Sequence, residues 1–131
     1  MKQDNSYGEV VTRHLVKYPN CNATENLFGG QLLAWLDETA AIFASQYMEE
    51  DLIVTKNFGS LEFKVPTELN RVINIYIKIV KEGKTSLTVQ ATATKQMMGS
   101  NVEIEVAALE IVFVAVNKDM TKKIWKPERF L

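Results

Sequence analysis

The 131 residues hold one cysteine and one histidine, and each scarcity removes a class of protein. A lone Cys21 cannot close an intramolecular disulfide, which suits a reducing, cytoplasmic setting. Flanked by Asn20 and Asn22, it has no basic neighbour to lower its pKa and make it a nucleophile. No Gly-x-Ser-x-Gly elbow accompanies His14, so a Ser-His-Asp triad is unsupported. No His/Cys cluster has the spacing of a metal site, so no metal is expected. No apolar run approaches the ~20 residues needed to cross a bilayer, and the first six residues, Met-Lys-Gln-Asp-Asn-Ser, lack the apolar core of a secretion signal. A formal net charge of −1 offers no electrostatic reason to expect nucleic acid or a membrane surface as partner. Internal repeats and low-complexity segments are absent as well.

What is present is an ordinary globular composition, 47% hydrophobic and 24% charged, in a length that makes residues 1–131 one domain with a sizeable core. The most informative stretch is Asn22 to Asp37, in which the pair Gly29-Gly30 opens a long apolar helix. At 100° per residue, Leu32, Leu33, Leu36, Ala40, Phe43, Ala44 and Tyr47 fall within one third of the circle, which predicts a helix from Gln31 to about Met48. Trp35 and Ile42 form a second, smaller apolar stripe, so the helix is central rather than superficial. Asp37 sits at the border of the main arc, two turns inside. A carboxylate there is expensive to bury unless it has partners or a task. A helix start behind two glycines is a place where backbone N–H groups can face a polarised oxygen. Together they point to a hydrolytic site.

Around the helix the pattern is β. Glu9–Lys17 reads as a strand stopped by Pro19 and Asn20. Leu52–Phe63 reads as one strand with an irregularity at Gly59-Ser60, ended by Pro66. Val72–Val80 alternates strictly, with Ile73, Ile75, Ile77 and Ile79 expected inward and Val72, Asn74, Tyr76, Lys78 and Val80 outward. Lys81-Glu82-Gly83-Lys84 turns into a partner strand, Thr85–Lys95; Gly99-Ser100-Asn101 turns again into Val102–Val116, and a polar tail holds Trp125 and Pro127. The fold class is therefore α+β, a curved antiparallel sheet wrapped around one long central helix. Such a sheet has an open edge, and pairing that edge with a second copy gives a symmetric dimer.

Asn22, Leu27-Phe28-Gly29-Gly30, Leu36-Asp37, Val54-Thr55, Phe63 with Pro66, and Gly83-Lys84-Thr85-Ser86 together make a specific set. In them the chain resembles the hotdog-fold acyl-CoA thioesterases, in particular the bacterial YciA-like type, from about Tyr7 to Pro127. It departs at Thr24, where members often carry Gly or Asn. The resemblance implies an acyl-CoA substrate cleaved to free acid and CoA, with no cofactor. Asp37 would act as general base or as a nucleophile forming a transient anhydride. Asn22 would orient the water or the carbonyl, and N–H groups near Gly29 and Gly30 would polarise the thioester. It further implies that Asn22 and Asp37 of one site come from different subunits, that Gly83, Lys84, Thr85 and Ser86 lie along the CoA groove with Lys81 or Lys84 adding charge, and that dimers assemble into a trimer of dimers. Each residue also has a plainer reading: a structural carboxylate, glycines for close packing, an Asn turn, a hairpin. A non-enzymatic acyl-CoA sensor, a thioesterase acting on carrier-protein substrates and a purely structural oligomer stand as alternatives. His14, placed on a strand while the helix supplies only acids, speaks against a hotdog dehydratase. Met97-Met98, beside a hairpin, has no role assigned by pattern.

Overall fold

The computed structural model describes residues 5–126. Helix α1 (Gly29–Met48) lies against a single antiparallel sheet of six strands: β1 (Glu9–Leu15), β2 (Ile53–Phe58), β3 (Glu62–Phe63), β4 (Arg71–Glu82), β5 (Ser86–Met97) and β6 (Glu103–Ala115). The strands run in the order β1-β4-β5-β6-β2, with β3 also paired to β6. This is the α+β wrapping that the hydrophobic patterns predict; Pro127, named with the tail, lies outside the described residues. Register shifts at Val11, Lys56, Val80 and Val106 are bulges, each increasing local twist and bending its strand.

The core forms where the apolar arc of α1, through Leu32, Leu36, Ala40, Ala44 and Met48, meets Ile73, Ile75, Ala91, Ala93 and Ala107 on the sheet. α1 lies mainly over β5, where Ala91 and Ala93 let the helix approach closely and fill the space at core density. The helix begins two residues earlier than Gln31, so both glycines belong to its first turn, and it closes at Glu49 in the left-handed conformation (φ 57°), whose N–H bonds back to Ser45 O and Gln46 O. Leu33, expected inside, is exposed at the margin of the arc, while Thr39, outside it, is buried and bonded to Thr12 across 3.0 Å.

Two further expectations are corrected. The outward face of β4 is exposed at Lys78 and Val80 as expected, but not at Asn74 and Tyr76, which are each only 2% exposed. Glu103 Oε1 collects bonds from Tyr76 OH (2.6 Å), Thr94 Oγ1 (2.6 Å) and Asn74 Nδ2 (3.2 Å), while Arg13 Nε donates to Asn74 Oδ1 at 2.7 Å. A buried amide and phenol are tolerated because these bonds satisfy them. The expected strand Leu52–Phe63 is split into β2 and β3. Gly59 N–H bonds Glu110 O at 2.7 Å, and a Cβ at Gly59 would stand 3.1 Å from that same oxygen. The close approach breaks the strand there and requires glycine. In the otherwise polar tail Trp125 is buried, its indole N–H donating to Ser86 O at 3.0 Å and its ring meeting Tyr47 edge-on.

Candidate active site

The loop before α1 is built around Asn22. Its side-chain oxygen accepts three bonds, from Thr24 N (3.0 Å), Thr24 Oγ1 (2.7 Å) and Asn26 N (3.1 Å). Its own N–H reaches Asn26 O at 2.8 Å. This is an Asx-type turn, and the left-handed position within it is Glu25 (φ 60°), one residue after Thr24. The three donors fix the amide orientation, so the Nδ2 side is the free one among the described residues. Asn22 can thus donate to an incoming oxygen; the acceptor half expected of it is consumed by the loop.

Phe28 caps the helix by backbone alone: no side chain bonds to the first turn, and Leu32 N→Phe28 O (3.1 Å) is the first intrahelical bond. The N–H groups of Gly29, Gly30 and Gln31 are left with no acceptor among the described residues, which makes the turn a ready anion-facing element. The two glycines exist for different reasons. A Cβ at Gly29 would meet the Phe63 ring at 3.1 Å, so Gly29 is small to seat that ring. A Cβ at Gly30 would meet nothing within 4 Å, and its backbone is ordinary helix. Nothing in this chain demands glycine at position 30, although glycine weakens a helix. The open space beside it is what the residue preserves.

Asn22, Asn26, Leu27, Gly29, Phe63, Lys64, Val65 and Pro66 line an open cleft of about 410 Å³. It pairs an apolar wall (Leu27, Phe63, Val65, Pro66) with the Asn22 donor and the helix start, the mixture a small-molecule site requires. Of the expected site residues, Asn22 and Gly29 are brought together here. Gly30 follows on the next helical position, facing open space. Residues 63–66 are the part that sequence reasoning did not assign to the site; the signal was present in Phe63 and Pro66, but not their closure over Gly29.

Asp37 does not line this cavity. It lies eight residues after Gly29, ~12 Å along the axis, half-buried on the same side of the helix as Gly30 and Ala41. It has no hydrogen-bond or ion-pair partner among the described residues. Burial raises its carboxyl above the ordinary aspartate range, and the neighbouring Glu38 pushes the same way. A carboxylate so placed is a stronger base than a solvated one.

The Gly83–Ser86 turn lies at the other end of the molecule. Tyr47, in the last helical turn, bonds Glu82 at 3.2 Å, and Trp125 N–H bonds Lys84 O at 3.0 Å. This places the turn ~27 Å along the helix from Gly29. The carbonyls of Lys84, Thr85 and Ser86 are all occupied by internal bonds, so what the turn can offer is donors, the Lys84 ammonium and the two hydroxyls among them. Within one chain, therefore, these two groups of expected site residues lie apart. His14 stacks on Trp35 (centroids 4.4 Å, planes 8° apart), and burial lowers its pKa against the opposing pull of Glu38. It does not line the Asn22 cleft. The described residues contain no cluster of His, Cys, Asp and Glu able to hold a metal, and no helix long and apolar enough to cross a membrane.

A family model described as the thioesterase superfamily matches residues 24–100, more than half of the chain. The chain belongs to the thioesterase superfamily. Its matched segment runs from the Asn22 loop through α1 to the β5–β6 turn, so it contains the helix start, Asp37 and residues 63–66. Among curated relatives of this superfamily member, an uncharacterized acyl-CoA thioester hydrolase of Zymomonas mobilis is 28% identical over 123 residues, covering 90% of this chain and 82% of the relative. The acyl-CoA thioester hydrolase YciA of Salmonella typhimurium is 28% identical over 113 residues, 86% of this chain and 84% of the relative. Among solved structures, a hexameric hotdog fold thioesterase of Campylobacter jejuni superposes with a TM-score of 0.81 at 28% identity, covering 94% of each chain. The hexameric thioesterase of Yersinia pestis gives 0.83 at 23% identity over 92% of this chain and 97% of that one, a likeness of fold. The architecture described above is the hotdog fold.

Proposed function

We propose that this chain is an acyl-CoA thioester hydrolase that works as an oligomer. The observation that carries the reading is the uncapped, glycine-opened helix start with the Asn22 donor beside it, facing an apolar-walled cavity, in a chain of the thioesterase superfamily. The thioester carbonyl is taken by the N–H groups near Gly29 and Gly30, with Asn22 Nδ2 as a further donor, so negative charge developing on oxygen meets preorganised dipoles. Asp37 accepts a proton as water adds to the carbonyl carbon, the new C–O bond forms, and the C–S bond breaks to release CoA thiolate, which is then protonated. Direct attack by the same carboxylate, followed by hydrolysis of the anhydride, uses the same residue. Neither route needs a metal or a cofactor.

Because Asp37 lies outside the Asn22 cavity and the Gly83–Ser86 turn sits at the far end of the helix, the complete site needs a second copy. A two-fold dimer joined through the outer edge of β2 and β3 runs the two helices antiparallel and sets the N-terminal half-site of one subunit beside the far end of the other. Asp37 then comes from the partner, and Lys84, Thr85 and Ser86 of the partner bind CoA. Two structural neighbours of 23% identity, both acyl-CoA hydrolase variants from Staphylococcus aureus, carry Ala in place of one Asp and of one Asn. Those positions are 15 residues apart, the same spacing as Asn22 and Asp37. The relatives are hexameric in several structures, which supports a trimer of such dimers here, and an acyl-CoA substrate fits a cytoplasmic location. The test is hydrolysis of an acyl-CoA panel, from acetyl to palmitoyl with one aromatic member, followed by the ultraviolet absorbance of the thioester. Turnover lost in Asp37→Asn supports the reading. Binding without turnover would make the chain a sensor, and inertness towards the whole panel would refute the substrate class.

A further inference from the structure

Pro66, on the wall of the Asn22 cleft, continues into Thr67 and Glu68, and these residues carry the loop that holds Asn22. Leu27 N–H donates to Thr67 O at 2.8 Å, Leu69 N–H donates to Glu25 O at 3.1 Å, and Asn26 forms an isolated β-bridge with Glu68. Asn26 in turn fixes Asn22: its N–H reaches Asn22 Oδ1 at 3.1 Å, and its carbonyl takes the Asn22 N–H at 2.8 Å. Where the Asn22 Nδ2 donor points is thus set, through Asn26, by where residues 66–68 stand.

What ties those residues to the sheet is Lys95. On β5 it pairs in register with Ile73 of β4, and side chains paired across strands share a face. Ile73 is fully buried, so Lys95 rises on the core side, where lysine is seldom covered without partners. Its side chain is only 13% exposed. The ammonium donates to Pro66 O at 2.7 Å and to Glu68 Oε1 at 2.8 Å, and this bond holds the Glu68 carboxyl below the ordinary glutamate range. Among the described residues no other side chain bonds residues 65–69. The wall is otherwise anchored on either side of that stretch, by Lys64 N–H to Val106 O (2.7 Å) and by Asn70 N–H to Val16 O (2.9 Å). The Glu68 side chain is 48% exposed, and an ion pair so open to water adds little to stability. What two bonds from one covered lysine to one short segment provide is position.

We infer that Lys95 is a positioning residue of the proposed hydrolysis: by holding Pro66 and Glu68 it sets the Asn22 donor against the thioester carbonyl. The inference rests on the acyl-CoA hydrolase reading above and adds to it a residue that does not line the cleft. The test compares the wild type, Lys95→Met, Asn22→Asp and the double variant on the panel member that the wild type turns over fastest. Melting and mass check the fold, and hydrogen exchange by mass spectrometry reads the peptide spanning residues 20–28. Lys95→Met is expected to lower kcat by about 10- to 100-fold, the scale of loss when a group is misplaced by about 1 Å, with KM little changed. Exchange in residues 20–28 should quicken. In the Asn22→Asp background Lys95→Met should cost little more, because the donor it serves is already gone. A folded Lys95→Met that keeps wild-type kcat would overturn the inference. So would one that raises KM alone, or one whose penalty is undiminished in the Asn22→Asp background. Should Lys95→Met not fold, Glu68→Ala removes the half-exposed end of the tie, and a Glu68→Ala protein with wild-type kcat and exchange overturns the inference in its place. A wild type that cleaves no member of the panel refutes the hydrolase reading itself, and the inference falls with it.

Discussion

Gly30→Ala separates a packing glycine from one kept open for substrate. The added methyl meets nothing within 4 Å, the backbone there is not left-handed, and alanine is the better helix former. The fold is expected to gain about 0.5–1 kcal/mol, which raises the melting temperature by about 2–4 °C in a domain of this size. The same methyl stands beside the free N–H groups of the first turn and holds the thioester oxygen away from them. Losing one such donor lowers kcat by about 10²-fold. The expected phenotype is thus a more stable and nearly inactive enzyme, read by calorimetry and by thioester absorbance on the same preparation. Mass measured alongside separates an obstructed site from a broken dimer. Gly29→Ala is the packing control: its methyl would stand 3.1 Å from the Phe63 ring, which must give by a few tenths of an ångström, so the gain in stability expected at Gly30 is not expected here. A Gly30→Ala variant that keeps full turnover would refute the assignment of the helix start as the carbonyl-binding element.

Asp37→Asn is expected to lower kcat by about 10²-fold or more, the usual contribution of a general base, while stabilising the fold near neutral pH. The sign follows from the raised folded-state pKa: above it the folded chain carries a half-buried charge that the unfolded chain solvates freely. Wild-type stability therefore rises as pH falls through the folded pKa towards the unfolded value of 3.8, and the stabilisation by Asn should vanish below that window; urea melts across the acid range check this. For the same reason the acid limb of wild-type turnover should lie above the ordinary aspartate range. Asn22→Asp keeps the oxygen that accepts from Thr24 and Asn26 but loses the Nδ2 donor, so the melting temperature should hold while turnover falls about 10²-fold; equal loss of both would make Asn22 a loop residue only. Glu103→Ala strips the shared acceptor from Tyr76, Thr94 and Asn74 and should destabilise by about 3 kcal/mol in urea melts, with kcat per folded molecule unchanged.

Local pattern alone decided much of this molecule. The isoleucine alternation in β4, the apolar arc of α1, the turn residues at Gly83 and Gly99 and the break at Gly59 are each local signals, because helix and strand periods are set by neighbouring residues. The pairing of a glycine-opened helix start with an internal aspartate, and the family resemblance, were equally legible. Other features needed long-range packing. That Asn74 and Tyr76 are buried depends on Glu103 and Arg13 arriving from β6 and β1. Trp125 reads as part of a polar tail until the chain folds it under Tyr47. The different reasons for Gly29 and Gly30 appear only once Phe63 has been carried across on β3. The same holds for the site as a whole: sequence order sets Asn22, Asp37 and Ser86 in one list, but α1 is a rigid rod that holds its two ends ~27 Å apart. Which residues are candidates for the chemistry could be proposed from the chain. That they lie apart within one copy, so that the proposed site calls for a second, is a consequence of the length of one helix.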